Sequence, residues 1–111
     1  MKDLIQQEKL FTQDDVNTRL GKIAKNLGAI QREVITNPDA AFLLIKESLD
    51  FVEWTAPALV EIDVEQAAEL VDLGRTLARW QYHWEEISLD EGALLEVASV
   101  AGNLSKHHIF G

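Results

Sequence analysis

The sequence predicts an all-α fold, an antiparallel four-helix bundle. Three observations carry that expectation. Apolar residues recur at alternating spacings of three and four along four stretches. Capping residues and an Asn-Pro pair punctuate the chain between those stretches. No segment alternates polar and apolar residues as a half-buried strand does. A helix turns about 100° per residue, so each stripe occupies one face that must be buried against another element. Four such faces on short connections close most simply into a bundle.

Residues 1–11 hold Leu4, Ile5, Leu10 and Phe11, too apolar to stand free in water. They predict a short helix or arm packed across the bundle or onto a second subunit. The first long helix is expected over 13–35, with the stripe Val16, Leu20, Ile23, Leu27, Ile30 and Val34. Thr12 with Asp15 three residues on reads as its N-terminal cap pair. Asn37-Pro38 then breaks the chain, because Pro suits a first helical turn and disfavours helical geometry just before it. The second helix is expected over 38–56, on the stripe Phe42, Ile45, Leu49, Val52, Ala56 and Leu59, with Pro57 ending or kinking it.

Asp63 followed by Gln66 predicts the start of a third helix over 64–86, striped by Leu70, Leu73, Leu77, Trp80 and Trp84. Ser88 followed by Glu91 predicts a fourth over 89–107, striped by Leu94, Val97, Ala101, Leu104 and His108. Small residues inside helices (Gly21, Ala24, Gly28, Ala67, Gly74, Ala78, Ala98, Ala101 and Gly102) mark expected close helix contacts. Nothing resembles a linker, repeat or low-complexity tract, so residues 1–111 read as one domain.

Composition narrows the function classes. The chain has 111 residues and no cysteine, which removes disulfides, thiolate metal sites and cysteine nucleophiles. The first eleven residues carry Lys2, Asp3, Glu8 and Lys9, so no secretory signal is expected. No apolar run reaches the length of a membrane span. The expectation is a cytoplasmic protein without a membrane partner. A net charge of -9 argues against nucleic acid, which is held mainly by Lys and Arg on phosphate. Residues 38–91 hold thirteen acids against Lys46, Arg75 and Arg79, a net of -10. That is either a solvated face or a surface for a cation or basic partner.

The second helix is apolar nearly all round, through Phe42, Leu43, Leu44, Ile45, Leu49, Phe51, Val52 and Trp54. Together with Trp80 and Trp84 this suggests a subunit interface, with Leu44, Phe51, Trp54, Trp80 and Trp84 as the contact residues of a homodimer. The leading expectation is a non-catalytic helical protein, without cofactor, acting by self-association or contact with another protein.

A second expectation rests on carboxylates. Glu47, Asp50 and Glu53 share one helix face, as do Glu65, Glu69 and Asp72 on the next helix. Asp50-Phe-Val-Glu53 followed by Glu69-Leu-Val-Asp72 resembles the paired motifs of the all-α nucleoside triphosphate pyrophosphohydrolases, the MazG-like group. The first motif carries Asp where that family has Glu, and the doubled Glu before it is missing. The resemblance implies Mg²⁺ held by Asp50, Glu53, Glu69 and Asp72, with Glu47 assisting a water nucleophile. Among the histidines, His83 reads as a partly exposed residue beside a carboxylate. His107 and His108, adjacent on a helix, are expected to point apart and not to chelate. No serine lies in a nucleophile-elbow context and no Gly-rich phosphate loop is present.

Overall fold

Three of the four long helices begin at an aspartate, each holding the free N–H groups of the first turn. In the computed structural model, which describes residues 4–110, the Asp15 carboxylate accepts from the Thr18 amide at 2.8 Å and opens α2, Val16–Glu33. The Asp63 carboxylate accepts from the Gln66 amide and opens α4, Val64–Tyr82. The Asp90 carboxylate accepts from the Gly92 and Ala93 amides and opens α6, Glu91–Ser105. Asn37 does the same for α3, Pro38–Val60, by accepting from the Ala40 amide. The remaining elements are α1, Leu4–Thr12, the short α5, Trp84–Ile87, and a 3-10 turn, His108–Phe110. Residues 1–3 of the expected arm lie outside the described residues. The described chain is all-helical, and none of its helices is long and apolar enough to cross a membrane.

Several expected boundaries shift, each for a local reason. Thr12 belongs to the last turn of α1, where its hydroxyl donates to the Glu8 carbonyl at 2.8 Å, so Asp15 alone caps α2. Ser88 likewise donates back to the Glu85 carbonyl, which leaves the capping role to Asp90. Pro57 does not end α3: it sits inside the helix on an exposed position, removing only the bond to the Glu53 carbonyl. The third expected helix divides at His83, whose ψ of 13° is no longer helical. The break turns α5 so that Trp84 stacks on Phe42, ring centroids 5.8 Å apart.

α3 packs on both α2 and α4, and α6 packs on α2. Two hydrogen bonds give the direction of the first pair: Asn26 Nδ2 to Glu47 Oε1, and Arg19 to the Trp54 carbonyl. Moving back along α2 from 26 to 19 moves forward along α3 from 47 to 54, so these helices run in opposite directions. The core lies between them and α4, centred on Ile23, Leu27, Ile30, Ile45, Leu59, Leu70 and Leu77, all essentially without solvent contact.

The core face of α3 keeps Ile45, Val52 and Leu59 of the expected stripe but turns partly away from Phe42, Leu49 and Ala56. Its buried positions are Ala41, Ile45, Ser48, Val52, Thr55 and Leu59. Ser48 enters the core by donating its hydroxyl to the Leu44 carbonyl at 2.7 Å, so it presents little unsatisfied polarity. Phe42, Leu49 and Ala56 are therefore pushed to the flanks, half-buried. Ala67 and Ala101 are buried in the core, and of the helical glycines Gly74 and Gly102 meet neighbouring helices. A Cβ at Gly74 would lie 3.1 Å from Val52 Cγ1, whereas one at Gly21 would meet nothing.

The chain closes with a hook. Lys106 ends α6, the 3-10 turn reverses direction, and Ile109 is buried to 4% exposure. Gln66 Nε2 on α4 donates to the Ile109 carbonyl at 2.8 Å and fixes the hook in place.

Candidate functional site

The carboxylates on the second and third expected helices, now α3 and α4, separate onto three surfaces. Glu47 faces α2, where Asn26 donates to it, and lines a cavity with Phe11, Lys22 and Phe51. Glu53 lines a trough between α3 and α4. Glu69 and Asp72 line a different cavity of about 180 Å³, beside the C-terminal hook. Asp50 is half-buried, and that burial raises its carboxyl above the usual range, with Lys46 lowering it and Glu47 raising it by lesser amounts. Asp72 is paired with Arg75 at 3.0 Å. Among the described residues, the group of side chains close enough to hold one ion includes Glu69 but not Asp50, Glu53 or Asp72; Asp72 also lines a depression that adjoins the trough of Glu53.

The expected interface residues are drawn inward. Trp80 and Trp84 are each only 7% exposed, within the chain's own core. Phe51 and Trp54 are half-buried beneath Phe11 of α1, at centroid distances of 4.1 and 5.9 Å. The arm covers this part of α3. Arg19 locks the arrangement by donating to the carbonyls of Thr12 and Asp14 at 2.8 and 2.9 Å, and Lys22 pairs with Asp14. Leu44 stays half-buried at the edge of the core.

Two of the concave surfaces bear most on function. The larger is the trough of about 520 Å³ between α3 and α4, walled by Leu49, Val52, Ala56, Val60, Val71 and Ala78 with Gly74 at its floor. It continues past Val60 and Val71 into a second depression of about 340 Å³ that reaches Val64 and Ala68. Glu53 stands on the α3 lip and Arg75 on the α4 lip. Sequence periodicity misses this surface because Leu49 and Ala56 belong to the expected core stripe. The partial turn of α3 leaves them half-buried on the trough wall.

The smaller surface is the hook cavity, lined by Glu69, Asp72, Leu73, Thr76, Leu104, His107, Ile109 and Phe110. Here Glu69, His107 and His108 present one ligand atom each within 4.8 Å of one another. The expectation that the two histidines diverge assumed a helix through residue 107. α6 ends at Ser105, and the imidazoles turn to the same side with centroids 4.3 Å apart. The signal was in the sequence: Ile109 and Phe110 fall off the stripe of α6, so burying Ile109 requires leaving the helix. His83 is exposed, packs edge-on against Tyr82 and lines a cavity with Glu96, without an ion pair among the described residues.

Compared with protein-family models, curated proteins and solved structures, the chain matches none.

Proposed function

We propose that this chain is a single domain, an antiparallel bundle of α2, α3, α4 and α6, that acts without catalysis by pairing with a second copy of itself. The apolar trough between α3 and α4 carries the proposal. Val60, Val64 and Val71 on and beside it are 48%, 67% and 40% exposed, and Ile62 at the α3–α4 turn is 67% exposed. A run of exposed branched apolar residues along a concave surface marks an association site. The charge pattern of its lips favours a second copy as the occupant. A two-fold axis along the trough sets Glu53 of each copy against Arg75 of the other, a self-complementary arrangement.

The reading is tested by light scattering of the purified protein and of Val71→Asp. The expected result is a dimer for the parent chain and a monomer of unchanged helical content for the variant, because a carboxylate in the trough cannot be desolvated cheaply. A parent chain that stays monomeric at high micromolar concentration overturns self-association.

A further inference from the structure

We propose that Glu69, His107 and His108 form a binding site for a divalent transition-metal ion, Zn²⁺ above all. The inference is independent of the α3–α4 trough. It begins with an anomaly at Glu69. The Oε2 atom of this carboxylate is out of contact with solvent and accepts no hydrogen bond. His108 Nε2 nevertheless lies 2.9 Å from it. A nitrogen and an oxygen at that distance, without an N–H directed along the line between them, leave the oxygen lone pairs uncompensated. Two ligands of one metal ion stand about 3 to 3.5 Å apart, given bonds of about 2.0–2.2 Å to each. The Glu69–His108 separation therefore suits a pair that shares a cation.

His107 supplies the third ligand. Its Nδ1 lies 4.0 Å from the same Glu69 oxygen and accepts from the Ile109 amide at 3.3 Å. That nitrogen therefore carries a lone pair and no proton, the form a metal requires. The bond from Ile109 is long and readily exchanged for one to the ion. The ligands come from rigid and anchored backbone: Glu69 from the body of α4, and the histidines from the hook held by Gln66 and the buried Ile109.

Two imidazoles and one carboxylate select the cation. Mg²⁺ and Ca²⁺ prefer all-oxygen shells, whereas Zn²⁺ takes mixed nitrogen and oxygen donors in tetrahedral geometry. Glu69 and His107 also line the cavity of about 180 Å³ beside Thr76 and Asp72, which has room for a water molecule to complete the shell.

The test is calorimetric titration of the metal-stripped protein with Zn²⁺, and separately with Mg²⁺, accompanied by thermal melts. The parent chain should take up one equivalent of Zn²⁺ and melt at a higher temperature with it, and should show no response to Mg²⁺. Replacing His108 by Ala should raise the Kd at least tenfold. Because His108 is largely exposed, that variant keeps its fold. Glu69→Gln should weaken binding similarly while preserving the shape of the side chain. Absence of Zn²⁺ uptake at 100 µM, roughly a hundredfold or more above the Kd of a submicromolar site, overturns the proposal. So does uptake that persists undiminished in the His107→Ala/His108→Ala double variant, since the ion then binds elsewhere.

Discussion

The ring of Phe11 lies flat against the ring of Phe51, with centroids 4.1 Å apart and planes 8° from parallel. This contact joins α1 to α3 and converts the apolar excess of α3 into internal packing. Phe11 is only 3% exposed, although every other described residue of α1 before it is exposed. The arm is held by one deep anchor. Phe11→Ala is expected to cost about 3 kcal/mol or more in denaturant unfolding, as for other large-to-small core changes. The emission of Trp54 should shift to the red while Trp80 and Trp84 stay buried. An unchanged midpoint would show that α1 adds nothing to the fold.

Two glycines inside helices should respond oppositely to alanine. At Gly21 the new methyl meets open space, so the helix gains about 1 kcal/mol from the better helix former, or several degrees in Tm. At Gly74 the same gain is opposed by Val52 Cγ1 at 3.1 Å. Val52 is buried and β-branched with one strongly preferred rotamer in a helix, so relief of the contact falls on the α3–α4 spacing, by a few tenths of an ångström. Gly21→Ala is expected to stabilise and Gly74→Ala to destabilise. Melts of the two variants beside the parent decide it, and a shift in the same direction for both would refute the tight α3–α4 contact.

Asp50 makes stability depend on acidity in an unusual direction. Burial raises its carboxyl in the folded chain, so the folded state binds the proton more tightly than the unfolded state does. The charged form thus costs stability at neutral pH, and the cost disappears as pH falls through the raised value. Asp50→Asn should melt above the parent at pH 7, with the difference shrinking toward pH 4, near the ordinary value for Asp of about 3.9. An advantage that is constant across that range would mean the gain has another source.

The stripe on α2 was legible because that helix has a clear polar side. Leu20, Ile23, Leu27, Ile30 and Val34 are all buried as the spacing predicts. α3 was harder to read. When nearly every position is apolar, periodicity cannot say which face turns inward, and Ser48 and Thr55 do not look like core residues. Thr55 is fully buried and its hydroxyl has no partner, a placement no hydrophobicity pattern would select. On α3 two successive spacings of three carry the carboxylates round the helix, so Glu47 meets α2 while Glu53 lines the trough toward α4. The histidine site was hidden by extending α6 two residues too far.

The hydrogen bond from Gln66 to the Ile109 carbonyl spans 43 residues. Ile109 is among the last described residues, yet it fills part of the core beside helices that begin far earlier in the chain. Synthesis adds roughly 5–20 residues per second, so the start of α4 exists for seconds before its partner. During that interval the inner face beneath the hook is open to water. A nascent chain stalled before Ile109 would therefore expose a seam that the finished protein hides, and would be the stage most vulnerable to proteases or to mispairing.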